Sequence, residues 1–99
     1  MNVLRTPLAE LDFATELGRL FALSSVGRAL QFDRAVEAAI TRVLADPASF
    51  ATHHAAPHLR RCPIGDGFAH DVLFRTEGND LFITAIWHPH RDPADLARR

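Results

Sequence analysis

The sequence has no lysine, no tyrosine, a single cysteine and a single tryptophan. A lone cysteine excludes an internal disulfide. Cys62 sits in a run that alternates apolar and polar residues and reads as a small core or edge residue, since a reactive thiol needs a partner base and electropositive surroundings. No apolar run approaches the ~18 residues that cross a bilayer. The opening residues, with Arg5 and then Glu10 and Asp12, lack the charged-then-apolar layout of a signal peptide. A cytoplasmic protein without membrane association is therefore expected. No HExxH or Cys/His zinc spacing is present, no glycine-rich phosphate loop, no nucleophile elbow, and no serine after Phe50. Six histidines include the close pairs His53-His54 and His88-Pro89-His90. Isolated pairs of this kind commonly bind metal only adventitiously, so no metal and no cofactor are expected. Internal repeats and low-complexity tracts are also missing.

What is present fits one globular domain over residues 1–99. All eleven basic residues are arginine, so every fixed cation is a planar fork suited to phosphate or carboxylate. The net charge of −1 argues against broad nonspecific binding to nucleic acid, which usually shows as a basic excess. A local patch from Arg60, Arg61, Arg75 and Arg91 remains compatible with that balance.

Residues Asn2 to Arg5 suit a short strand. Thr6-Pro7 then reads as a helix start, with Thr as N-cap and Pro at the first helical position. Leu8, Leu11, Phe13, Leu17, Leu20, Phe21 and Leu23 follow near helical spacing, and Gly18 weakens that helix by ~1 kcal/mol relative to alanine. Ser24 to Gly27 is a break. A second helix is expected from about Arg28 to Ala45, with Phe32, Val36, Ala39, Ile40, Val43 and Leu44 as its apolar stripe, ending at Asp46-Pro47. Ala48 to Pro57 shows no period and reads as an irregular connection. Three strands are expected beyond it. His58 to Cys62 is followed by a turn at Pro63 to Gly67, Phe68 to Arg75 by a five-residue turn at Thr76 to Asp80, and Leu81 to His88 is apolar on both faces, as a central strand would be. A turn of helix is expected after Pro93. The expected architecture is α+β, an N-terminal strand and a helical hairpin packed on a small, mainly antiparallel sheet.

Alternation along the last strand puts Leu81, Ile83, Ala85 and Trp87 on one face, the better one for packing against helices. It puts Phe82, Thr84, Ile86 and His88 on the other. His88 is then a rim residue, equally a surface histidine that ends a strand, with Arg91 three residues on. A local ion pair of Arg91 with Asp92 or Asp95 is the plain alternative for that arginine. Arg60 and Arg61 point to opposite faces, so at most one of them serves a given groove. Asp71 and Arg75 share a face and are expected to pair. His70, beside Val72 and Phe74, reads as a partly buried, hydrogen-bonded histidine.

Several segments resemble the RelE/ParE superfamily of toxins from type II toxin–antitoxin modules. They are Thr6-Pro7 with Ala9 and Asp12, Leu44 to Pro47, Leu59-Arg60-Arg61, and Phe68 to Arg75. The acidic Gly-Asn-Asp turn, and Leu81 to His88 with Arg91-Asp92-Pro93, complete the set. The resemblance covers nearly the whole chain and implies a toxin neutralised by a cognate antitoxin, which reaches operator DNA only through that antitoxin. Two activities occur in the superfamily: inhibition of DNA gyrase, and cleavage of messenger RNA at the ribosome. RNA cleavage needs a base for the 2′-hydroxyl, an acid for the leaving oxygen and cations for the phosphate. His88, Arg91 and one of Arg60 or Arg61 supply a minimal set, with Arg75 as a spare cation. The same four arginines are the expected contacts to a target or phosphate. Many ribonuclease members are basic and use tyrosine or lysine, so this composition favours the gyrase-directed branch. An inactive member that only binds its antitoxin is the remaining alternative.

Overall fold

The computed structural model describes residues 1–99. Strand β1 (Asn2–Arg5) leads into helix α1 (Pro7–Leu23) and helix α2 (Val26–Ala45). A 3-10 turn at Pro47–Ser49 precedes strands β2 (Thr52–His53), β3 (Ala56–Gly65), β4 (Phe68–Glu77) and β5 (Asp80–Trp87), and a second 3-10 turn spans Pro93–Arg98. The five strands form one sheet in the order β1-β5-β4-β3-β2. β1 runs parallel to β5 and every other pairing is antiparallel.

Local chemistry explains the helix starts. Thr6 accepts the Ala9 N–H at its side-chain oxygen, with Pro7 at the first helical position. Ser25 does the same for Arg28 N–H, so α2 begins at Val26, two residues before the apolar pattern suggests. Phe32, Val36, Ala39, Ile40 and Val43 are buried as the stripe requires, whereas Leu44 is exposed. They join Cys62, Ile64, Val72, Phe74, Leu81, Ile83 and Ile86 in the core between hairpin and sheet. A smaller cluster of Ala56, Leu59, Leu73, Ala85, Trp87 and Leu96 lies on the opposite face of the sheet, where Leu96 of the last 3-10 turn is fully buried.

The sheet departs from expectation in three places. The connection before Pro57 is not wholly irregular, because Thr52 and His53 pair with Arg60 and Ala56. The hairpins are tighter than composition suggests. β3 and β4 run into Gly65 and Phe68 around Asp66-Gly67, and both loop residues have positive φ, the geometry a two-residue turn favours. β4 and β5 likewise run into Glu77 and Asp80 around Gly78-Asn79.

The third departure matters most for the site. Leu73 lies opposite Ala85 and Phe74 opposite Ile83, so Thr84 has no partner and β5 carries a bulge. Leu81 and Ile83 face the helices as expected, but Ala85 and Trp87 are turned to the opposite face, and Ile86 and His88 come round to the helix side. The Thr84 hydroxyl, buried, donates to the Leu73 carbonyl. β1 ends opposite Ile83, so β5 has a free edge beyond it. There the Thr84 carbonyl accepts from Thr6 Oγ1 (3.4 Å) and Arg99 (3.2 Å), and Ile86 N–H donates to Asp12 (3.1 Å). These bonds replace the missing ladder partners.

Candidate functional site

Because the bulge rotates His88 to the helix side, that histidine lies over α1 rather than on the opposite groove. It shares a cleft of about 240 Å³ with Asp12, Glu16, His70, Ile86 and Arg91. His70, on the helix face of β4, is buried against the ring of Phe32, with ring centroids 5.2 Å apart, and contacts His88 edge-on at 5.0 Å. His88 in turn meets His90 at 4.9 Å and accepts the His90 N–H at Nδ1. His70 is buried as expected, but the expected hydrogen bond does not form. Nε2 lies 3.9 Å from a Glu16 carboxylate oxygen, and Nδ1, fully enclosed, has no partner.

The electrostatics of this row follow from its depth. Burial holds the His70 pKa below the usual imidazole value, Glu16 opposes that shift, and the neighbouring His88 and Arg19 reinforce it. Hydrogen bonds from Arg19 hold the Glu16 carboxyl below its ordinary value, against the desolvation that would raise it. Glu16 is thus an anion already committed to Arg19. His70 stays neutral near pH 7 and suits a proton acceptor better than a fixed charge.

Arg91 does reach the His88 rim, but it is not free. Its Nη1 lies 2.7 Å from Asp12, and its guanidinium stacks 4.4 Å over Trp87. The local pairing with Asp92 or Asp95 does not form. Asp12, on the inward side of α1, is the residue that sequence reasoning passed over as chemistry. Its carboxylate is 6% exposed and accepts from Ile86 N–H, Arg91 and Arg99, while Arg99 is itself only 5% exposed. The only trace in the sequence is an acid one helical turn after Leu8 and Ala9, with Glu16 one turn further on.

The remaining arginines divide between other clefts. Arg61 faces away from the helices and pairs with Asp71, at 3.1 and 3.3 Å, which removes Asp71 from the expected pairing with Arg75. It meets Arg91 in a cleft of about 170 Å³ with Trp87 and the stacked imidazoles of His53 and His54. Burial also lowers the His53 pKa. Arg75 instead lies 2.8 Å from Glu77 and 4.4 Å over the Phe82 ring. Arg60, bonded to the Phe50 carbonyl, and Arg75 border a cleft of about 400 Å³ at the far end of α2. His88 and Arg91 are therefore brought together, Arg61 touches their neighbourhood through Arg91, and Arg60 and Arg75 stand apart. No group of three or more His, Cys, Asp or Glu side chains is arranged to hold a metal ion, and no helix is long and apolar enough to cross a membrane.

No family model matches the chain, and no curated protein matches it. Among solved structures, it is similar to a chain of the "Chromosomal ParDE TA system from P. aeruginosa", with a TM-score of 0.75, covering 89% of this chain and 95% of that one at 17% identity. At that identity the likeness is one of fold. The α+β arrangement expected from the RelE/ParE resemblance is the arrangement found.

Proposed function

We propose that this chain is the toxin of a type II toxin–antitoxin pair, acting in the cytoplasm. A cognate antitoxin holds it inactive, and it arrests growth by engaging DNA gyrase as a binding inhibitor rather than as an enzyme. The observation that carries the toxin reading is the fold likeness to a chain of a ParDE system over nearly the full length of both chains. In this reading the antitoxin is the direct partner, operator DNA is reached only through it, and no cofactor takes part.

The charge pairing supports the non-enzymatic branch. An RNA-cleaving site needs cations free to meet a phosphate in the transition state. Here Arg91 is held on Asp12, whose carboxylate it shares with Arg99, Arg61 is paired with Asp71, and Arg60 and Arg75 lie away from His88. The ribonuclease alternative draws on a different observation, that His70, His88 and Arg91 share one cleft. Two imidazoles and a guanidinium are the parts of an acid–base pair with a phosphate contact.

Pulse labelling just after induction of the chain alone in bacteria separates the readings. On the gyrase reading DNA synthesis falls first, and His88→Ala leaves growth arrest largely intact. Early loss of protein synthesis that His88→Ala abolishes, with the variant still folded, would replace it with RNA cleavage. If neither synthesis changes although soluble protein accumulates, the toxin reading fails, and the inactive, antitoxin-binding alternative takes its place if an antitoxin still binds.

A further inference from the structure

β5 ends at Trp87, and the turn from His88 to Arg91 passes over α1 without joining the sheet. Its backbone hydrogen bonds close within the turn. His90 N–H donates to His88 Nδ1 and Arg91 N–H to the His88 carbonyl, each at 3.1 Å, and Pro89 has no N–H to give. Side chains therefore tie the turn to the body of the protein. Arg91 holds Asp12 and covers Trp87, and the His88 ring stands edge-on against His70. The first tie is 37% exposed on its arginine side and shares its carboxylate with Arg99. Ion pairs of that exposure hold weakly, so much rests on the imidazole contact.

The three imidazoles are graded in depth: His90 is exposed, His88 half-buried and His70 buried. The neutral His70 ring fits its enclosure with its hydrogen on Nε2, which faces Glu16 at 3.9 Å, and with Nδ1 bare. A second proton has to sit on Nδ1, where no acceptor stands, and an unmet buried donor is costly. The new charge is also poorly met from the elements around it. α1 brings Glu16, whose two oxygens are taken by Arg19. β4 brings Asp71, which is bonded to Arg61. α2 brings the apolar ring of Phe32 and, in the adjoining cleft, the cation Arg28. The turn itself brings His88 and Arg91, and Asp12 is already shared between two arginines.

We propose that residues 88–91 form a proton-operated flap. When His70 takes a proton, the turn lifts from α1, His88 swings into water, and Asp12, Glu16 and the face of Trp87 are uncovered. Water entering the cleft accepts the Nδ1 hydrogen that the closed form leaves unmet. Leu96, fully buried, and Arg99, 5% exposed, keep the following 3-10 turn in place, so the motion stays within the flap. Acid is the opening condition. Burial, above all, depresses the His70 pKa while the flap is closed, and in the open form it returns towards 6.5. The open fraction therefore grows by up to about tenfold per pH unit below 6.5, until the closed form too is protonated. The flap would work in the same way whatever the chain acts upon.

Trp87 reports the opening, since it is the sole tryptophan, the chain has no tyrosine, and Trp87 is 2% exposed beneath Arg91. The experiment is acrylamide quenching of its emission from pH 7.5 to 5.0, with far-ultraviolet circular dichroism on the same samples. A neutral quencher reads access alone, not the charge of a nearby imidazole. Quenching is expected to rise below pH 6.5 while the dichroism stays constant. His70→Phe keeps an aromatic ring in place and should hold quenching at its pH 7.5 level throughout. His88→Phe keeps the edge-on contact but removes one repelling charge, so its rise should move to lower pH. That site is half-buried and tests the flap even where His70→Phe fails to fold. Flat quenching in the unaltered chain, a rise that coincides with loss of dichroism, or an equal rise in a folded His70→Phe would overturn the proposal. A His88→Phe curve that overlays that of the unaltered chain would overturn it as well.

Discussion

Replacing Asp12 by asparagine isolates the role of one buried charge. The substitution preserves shape and leaves an oxygen able to accept from Ile86 N–H, but it removes the counter-charge of Arg91 and Arg99. The two losses are unequal. Arg91 is 37% exposed and can turn to water, so its pairing is worth ~1 kcal/mol or less. Arg99 is 5% exposed, and stranding a buried charge costs about 3–5 kcal/mol. The expected loss for Asp12→Asn is therefore about 3 kcal/mol, against roughly 5–15 kcal/mol for a domain of this size. At 4–8 °C per kcal/mol, the melting temperature should fall by roughly 12–24 °C. Urea unfolding followed by far-ultraviolet circular dichroism reads the effect as a lower midpoint with an unchanged slope. Arg91→Gln should cost no more than ~1 kcal/mol in the same assay. A loss below ~1 kcal/mol for Asp12→Asn, or equal losses for the two variants, would refute the claim that burial of Arg99 makes Asp12 a keystone.

Three further outcomes are expected. His70 and His53 both have folded-state pKa values lowered chiefly by burial, so the folded chain binds fewer protons than the unfolded one. Their contribution is full above the unfolded value of 6.5 and is lost as pH falls below it, so urea midpoints should drop between pH 7.5 and 5.5. His70→Phe should flatten part of that drop, and an unchanged pH profile would show that the ring titrates freely. Cys62 is 1% exposed, so a thiol reagent should label it only as fast as the chain opens, with the rate rising through the urea transition; rapid labelling in buffer would contradict its burial. Thr6→Ala removes both the cap on Ala9 N–H and the bond to the Thr84 carbonyl, and should cost about 1–2 kcal/mol, read from the urea midpoint; a neutral result would discount both bonds.

Periodicity carried much of the fold. The stripe from Phe32 to Val43 and the alternation of His70, Val72 and Phe74 were legible because each repeats with the period of its element, and the turn residues at Asp66-Gly67 and Gly78-Asn79 marked the hairpins. Two features broke the pattern. Thr52-His53 is too short to alternate, and Thr84 adds one residue to β5, which reverses the faces of everything after it. A threonine at a bulge reads like any strand threonine, so Trp87 and His88 could not be assigned to their faces by counting. The site suffered most from sequence distance. Asp12 meets Ile86, Arg91 and Arg99 across separations of 74, 79 and 87 residues, and such pairings have no local signature. Asp71 lay within reach of two candidate arginines, and only the β3–β4 register selects Arg61 over Arg75.

The parallel pairing of β1 with β5 joins Asn2 to Asp80, positions 78 apart. Contacts at that separation form slowly, because loop closure must precede any gain from them. The helical hairpin and the β3–β4–β5 meander involve near neighbours and can assemble before β1 is placed. Synthesis from the N-terminus therefore leaves β1 and the side of α1 that packs on β5 without their partner strand until residues 80–87 have been made. An interval of that kind on the ribosome exposes apolar surface and an unpaired strand edge, the features from which growing chains aggregate.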